Sequence, residues 1–239
     1  MEIPVTHITR RTMLVGLSSL IFPWLCRAES APLKIGLIGA GQVGSTLAKF
    51  WVDAGYHVML SARSLDEAQQ QAAQLGSLAS AGTPEQAASF GDVVVLAVPY
   101  RAIPALGKQL SGAVKGKILL DPSNFYSSRD GAIAATAAHD GAGITTQRYF
   151  PGARVVRGFN SIDMSVLRTE AHRHPPLLAV PIAGDDPSAV GIVADLVRAA
   201  GFDPVITGDL ASSIAFQPGG PGFEVKTDAT RLKAVLARK

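Results

Sequence analysis

The stretch from Leu33 to Ser64, LKIGLIGAGQVGSTLAKFWVDAGYHVMLSARS, decides the fold. Leu33, Ile35, Leu37 and Ile38 make a short apolar run, the pattern of a parallel strand buried on both faces. The run ends at Gly39 and is followed by Gly39-Ala40-Gly41-Gln42-Val43-Gly44. In a GxGxxG loop the first glycine permits a tight turn, the second lets a pyrophosphate approach the backbone, and the third lets helix pack on strand. From Gln42 the chain turns helical, with Val43, Leu47, Phe50 and Trp51 at helical spacing. The free amides at the start of such a helix can meet phosphates. Gly55 closes the helix, and a second strand is expected from Tyr56 to Ser61. Strand, glycine loop, helix and strand at these lengths frame a dinucleotide site.

The end of the second strand bears on which dinucleotide. NAD enzymes place a carboxylate there to accept hydrogen bonds from the adenosine ribose, and the same carboxylate repels a 2′-phosphate. This chain offers Ser61, Ala62 and Arg63 instead. Ser61 and Ser64 can donate hydrogen bonds, and Arg63 can meet a phosphate in a forked, charge-assisted geometry. NADP is therefore expected over NAD.

Further along, Ser64 to Leu75 predicts a second helix, and TPEQAASF predicts a third, capped by Thr83 with Pro84 at its first position. Asp92 to Pro99, DVVVLAVP, is β-branched enough to be a buried strand. Its end should face the crevice where open α/β sheets bind ligands, putting Ala97, Val98 and Pro99 near the nicotinamide. More strands are expected at Lys117 to Asp121, Arg154 to Phe159, Leu177 to Gly184 and Asp203 to Gly208. Pro187 to Ala200 forms an amphipathic helix, and Lys226 to Arg238 a closing one. The alternation predicts an α/β, Rossmann-type, doubly wound, mostly parallel sheet, a single domain over residues 32–239.

Ahead of it, residues 1–28 have the features of an export signal. Arg10-Arg11 after Thr9 precedes an apolar run from Met13 to Leu25 and then CRAESAP. That run is 13 residues and contains Pro23, whereas a bilayer takes about 20, so no stable membrane span is expected. TRRTML resembles the twin-arginine pattern, which implies the twin-arginine translocon as a partner and a periplasmic destination, with cleavage after Ala28 or Ala31. Without the leader, the 22 basic and 19 acidic residues lose three arginines and one glutamate, leaving 19 against 18. Such a balance gives no reason to expect nucleic-acid binding. The leader also takes the only cysteine, Cys26, so the remaining chain has no disulfide, thiol nucleophile or cysteine metal ligand.

The chain resembles the NADP oxidoreductases dependent on the deazaflavin coenzyme F420 and their relatives, a fold shared with the reductase domains of six-transmembrane metalloreductases. The resemblance rests on LIGAGQVGSTLA, SARS, VVLAVP, LLDPSN, RVVRGFNSI, IAGDDPSAVGIVADLVRAAGFDPVITGDL and PGGPGF. It implies NADP bound through Gly39, Gln42, Val43, Ser61 and Arg63, with Val98 and Pro99 beside the nicotinamide. It also implies an acceptor pocket around Asn124, Phe159 and Asn160. Phe125 departs from the proline expected after Asn124, and PGGPGFEVK is a feature of the relatives rather than of the deazaflavin enzymes.

Hydride transfer to a flavin-like ring needs two rings held in contact and no dedicated acid, so no catalytic side chain is singled out. His57 reads as structural, and His172 and His174, flanking Arg173, as a loop with no third metal ligand. Asp185-Asp186 before Pro187 reads as a helix cap, and no nucleophile-elbow motif is present. The expected activity is hydride transfer between NADP(H) and a flavin-like, deazaflavin or other small acceptor. The sequence leaves the oligomeric state open, a homodimer being one option. The alternative is an exported, non-enzymatic NADP-binding redox module.

Overall fold

The structure is a computed structural model that describes residues 1–2 and 32–237. The leader reading, residues 1–28, lies outside the described residues apart from Met1 and Glu2. Residues 32–237 alternate strands and helices. In chain order they are β1 (Lys34–Ile38), α1 (Gln42–Asp53), β2 (His57–Ser61), α2 (Leu65–Leu75), β3 (Ala79–Ala81), α3 (Pro84–Phe90), β4 (Val93–Leu96), α4 (Ile103–Val114) and β5 (Ile118–Asp121). Then come α5 (Ser127–Asp130), α6 (Ala132–Asp140), α7 (Ala142–Tyr149), β6 (Arg154–Arg157), α8 (Met164–Thr169), β7 (Ala179–Gly184), α9 (Pro187–Ala199), β8 (Asp203–Gly208) and α10 (Ala229–Leu236).

The strands form one sheet in the order β3-β2-β1-β4-β5-β6-β7-β8. The first six by sequence are parallel, and β7 enters antiparallel to β6 with β8 parallel to it. Side chains alternate between two cores. Ile35, Leu37, Val93, Val95, Ile118 and Leu120 pack beneath α1, α8 and α9, with Trp51 donating from Nε1 to the Leu196 carbonyl at 3.0 Å. Ile38, Val94, Leu96 and Leu119 face α3, α4, α6 and α7 instead. Burial on both faces is why these strands read as continuous apolar runs rather than alternating ones.

Caps set the helix starts. Thr83 and Gln86 form a reciprocal capping box on α3, and Asp186 accepts from the Ala189 amide on α9. β4 stops at Leu96, before the predicted Pro99, because Ala97 to Pro99 turn out of the sheet into a short 3-10 turn at Tyr100–Ala102. β6 stops at Arg157 rather than Phe159, because Phe159 takes φ 62°, which breaks the extended run. The closing helix is Ala229–Leu236, shorter than predicted at both ends, with Asp228 as its cap. No helix among the described residues is long and apolar enough to cross a membrane.

Candidate functional site

The strand order reverses between β1 and β4, and ligands of open α/β sheets bind at such a switch point. A cleft of about 340 Å³ opens there, at the carboxyl ends of the strands. Gly41, Gln42 and Val43 form one wall, and Ala97, Val98 and Pro99 from the end of β4 form the next. Asn124, Phe159 and Asn160, from the ends of β5 and β6, close the far side. The structure thus brings the predicted nicotinamide end and the predicted acceptor residues to one cleft. Gly39, Ala40, Gly44, Ser61, Arg63 and Ser64 lie outside its lining.

The glycine loop has a specific steric signature. Gly39 takes φ 97°, and a Cβ there would strike the Ala97 carbonyl oxygen. A Cβ on Gly44 would strike the Gly39 carbonyl oxygen and approach Leu37 Cδ2 at 2.9 Å, so α1 lies directly on β1. Gly41 differs. Its φ of −71° and ψ of −170° suit any residue, and a Cβ there would meet nothing within 4 Å. The fold therefore has no use for a glycine at this position, whereas a group approaching the backbone from outside does. α1 has no side-chain cap and no acidic residue in its first turn, so its leading amides have no side-chain competitor for an anion. These features fit a bound pyrophosphate.

At the end of β2, Arg63 is exposed and makes no ion pair among the described residues. Ser64 caps α2 by accepting from the Glu67 amide at 3.2 Å, which leaves its hydroxyl hydrogen to donate. Ser61 requires a correction. It is 1 % exposed, and its hydroxyl donates to the Leu37 carbonyl at 3.2 Å, locking β2 to β1 instead of facing outward.

The cleft floor rests on a buried ion pair that sequence reasoning missed. Asp121 and Arg157 are register partners across β5 and β6, both fully buried, with Arg157 Nη1 at 2.8 Å from Asp121 Oδ2. Asp121 also accepts from the Ser123 amide at 2.9 Å, from the Ser123 hydroxyl, and from the Thr146 hydroxyl at 2.7 Å. Arg157 Nη1 donates in turn to the Ser123 carbonyl at 2.7 Å. Two opposite charges thereby hold the Pro122-Ser123-Asn124 wall from below. Tyr100 joins the network, donating to the Ala142 carbonyl at 2.7 Å; burial, then the Asp121 charge, pushes its ionisation well above the ordinary tyrosine range. The only hint in the sequence is that an aspartate and an arginine stand at the ends of apolar strands.

Other cleft residues were also unforeseen: Tyr126, Arg129, Ile162, Asp163, Met164 and Glu224. Arg129 lies over the Tyr126 ring at 4.9 Å. It also grips Asp130 through Nε at 2.9 Å and Nη2 at 2.8 Å. Burial alone would raise the Asp130 carboxyl, but these bonds and the amides of Tyr126 and Arg101 outweigh it and hold the group below the usual range. His57, His172 and His174 lie away from the cleft, and no group of three His, Cys, Asp or Glu among the described residues could hold a metal ion.

Residues 34–125 match the family described as NADP oxidoreductase, coenzyme F420-dependent. The metalloreductase STEAP3 of Rattus norvegicus is 31% identical over 188 residues, 77% of this chain and 36% of that protein. The chain thus spans about a third of that relative. The F420-dependent NADP reductase of Methanothermobacter thermautotrophicus is 29% identical over 179 residues, 70% of this chain and 76% of that one. Among solved structures, a hypothetical protein from Sinorhizobium meliloti superposes with a TM-score of 0.71 at 27% identity, covering 84% of this chain and 97% of the other. The family match groups residues 34–125 with NADP-dependent oxidoreductases.

Proposed function

We propose that the protein is an NADP(H)-dependent oxidoreductase that passes a hydride between the nicotinamide and a small, flavin-like or deazaflavin-type acceptor. The observation that carries this reading is the cleft itself. The glycine loop, the Ala97–Pro99 turn and the Asn124, Phe159 and Asn160 wall enclose a space continuous from pyrophosphate seat to acceptor side. Bound NADPH supplies the hydride, and a solvent proton completes reduction of the acceptor.

The chain's own residues bind, orient and exclude water. The α1 amides and Gly41 seat the pyrophosphate, and Arg63 with Ser64 meets the 2′-phosphate. Val98 and Pro99 back the nicotinamide. Phe159, 2 % exposed and packed edge-on against Trp51 and Phe202, keeps the opposite wall dry and rigid. The positive φ at Phe159 is a local strain that this packing sustains and that turns Asn160 toward the acceptor side. Mixing NADPH-loaded protein with flavins, deazaflavins, quinones and ferric chelates and following absorbance at 340 nm (~1 turnover per site expected with an active acceptor) tests the reading. Retention of NADPH against every acceptor would favour a non-enzymatic redox module.

Arg10-Arg11 and the run that follows support the further reading that the protein folds around NADP in the cytoplasm and is exported through the twin-arginine route to the periplasm. Outside the cytoplasm no pool would exchange the nucleotide, so tight retention is part of the same reading. Nucleotide released by denaturing protein taken from the periplasm supports it; nucleotide-free protein refutes it. Assembly as a homodimer belongs to the proposal and is read by sizing the purified protein.

A further inference from the structure

Asp121 and Arg157 are the last residues of β5 and β6, and neither has exposed surface. A buried ion pair is a poor source of stability: removing both charges from water costs much of what their attraction returns, and well-packed apolar residues in their place are often at least as stable. Arg157 is also under-used. Its contacts to Asp121 and to the Ser123 carbonyl both run through Nη1, while its Nε and Nη2 have no hydrogen-bond partner among the described residues. Stability alone does not account for such a pair.

What the two charges do hold is one residue. The Ser123 amide donates to Asp121 Oδ1 at 2.9 Å, the Ser123 hydroxyl donates to the same oxygen, and the Ser123 carbonyl accepts from Arg157 Nη1 at 2.7 Å. All three polar groups of Ser123 are therefore bound by the pair. Asp121 Oδ2 is anchored in turn by the Thr146 hydroxyl of α7 at 2.7 Å, so the grip is referred to three elements of the fold. Pro122, Ser123 and Asn124 line the cleft together with Ala97, Val98 and Pro99, because β5 is the neighbour of β4 in the sheet. An apolar pair could fill the same space, but it offers no acceptor to the Ser123 amide and hydroxyl and no donor to its carbonyl. The wall would then be free to shift, and a displacement of about 1 Å that folding tolerates can cost a transfer reaction about 100-fold.

We propose that Asp121 and Arg157 are positioning residues: through Ser123 they fix the Pro122-Ser123-Asn124 wall against the nicotinamide, and what they serve is hydride transfer. This rests on the oxidoreductase reading above and adds to it a device that lies outside the cleft lining.

Two variants of the full protein test it. Asp121→Leu combined with Arg157→Met fills the space and removes the grip, whereas Ser123→Ala removes one bond and leaves the pair. Both are loaded with NADPH and assayed with riboflavin and menadione as acceptor probes. For the double variant, the melting temperature should stay within about 4 °C of the parent and the NADPH dissociation constant within about twofold, while kcat falls about 100-fold. The nicotinamide fluorescence of its bound NADPH, read without turnover, should weaken and shift to the red as water reaches the loosened wall. Ser123→Ala should lower kcat about fivefold, the worth of one hydrogen bond. Parent-like kcat and emission in the double variant overturn the inference, and so does a loss of NADPH affinity as large as the loss of kcat. If the double variant does not fold, Ser123→Ala decides on the same readouts: slower turnover at retained NADPH affinity upholds the inference, and parent-like turnover and emission overturn it. A parent that passes hydride to neither probe nor to the other acceptors named above sinks the oxidoreductase reading. The positioning of the wall is then read from the emission alone, which a red shift upholds and an unchanged spectrum overturns.

Discussion

Gly41→Ala should separate cofactor binding from stability, because the space beside Gly41 is empty of protein. A methyl group there meets nothing within 4 Å, and the backbone at φ −71° accepts alanine. Two small stability effects oppose each other: alanine lowers the entropy of the unfolded chain, worth about 0.4–1 kcal/mol, and is a poorer helix N-cap than glycine by a similar amount. The net change should stay within about 0.5 kcal/mol, a Tm shift of about 2 °C or less for a domain of this size. NADPH binding, by contrast, should weaken about 10- to 100-fold, the loss of one charge-assisted hydrogen bond of about 1.5–3 kcal/mol at the pyrophosphate. Gly44→Ala provides the contrast. Its methyl would collide with the Gly39 carbonyl oxygen, so it should cost about 1–3 kcal/mol, or about 2–12 °C. Thermal melts and isothermal titration with NADPH read both quantities. If Gly41→Ala bound NADPH as tightly as the parent, or lost binding and stability together, the assignment of this loop to the pyrophosphate would fail.

Other outcomes follow from the same contacts. Asp121→Ala leaves Arg157 buried and unpaired and should cost about 3–5 kcal/mol in urea unfolding, whereas Asp121→Leu combined with Arg157→Met should recover most of that loss. A single-substitution cost below about 1 kcal/mol would show the pair to be dispensable. Tyr100 keeps its proton in the folded state after the unfolded chain has lost it, so its share of stability is full below about pH 10 and falls as the pH rises further. Tyr100→Phe should flatten that alkaline slope; an unchanged slope in urea titrations at graded pH would contradict the cause given. Replacing Arg10 and Arg11 together by lysine should leave the protein in the cytoplasm, and continued appearance of the cleaved form in the periplasm would exclude the twin-arginine route.

How much of this was legible in the sequence depended on whether a residue's neighbours in sequence were also its neighbours in space. β1, α1, β2 and the glycine loop are local and were read almost to the residue, as was the Thr83 cap. β3 was missed because three residues, Ala79–Ala81, pair with β2 without a β-branched side chain to mark them. The antiparallel entry of β7 was equally invisible, since a strand buried on both faces has the same apolar run in either direction. In the site, Asn124, Phe159 and Asn160 were placed by family resemblance, whereas Asp121 with Arg157 needed the register of β5 on β6. Glu224 lay in the PGGPGFEVK motif, but only the return of that loop to Ser161 puts it at the cleft mouth. The error at Ser61 has the same origin: alternation along a strand does not say which serine faces a ligand and which is spent on the neighbouring strand's carbonyl.

The most direct test of the whole account is the affinity of the purified protein for NADPH and NADH, measured side by side with that of Arg63→Glu. The account predicts that the parent prefers NADPH by about 10- to 100-fold, the worth of a guanidinium on the 2′-phosphate, and that the substitution abolishes or inverts the preference. Equal affinity for the two nucleotides, or a preference indifferent to the charge at Arg63, would contradict it.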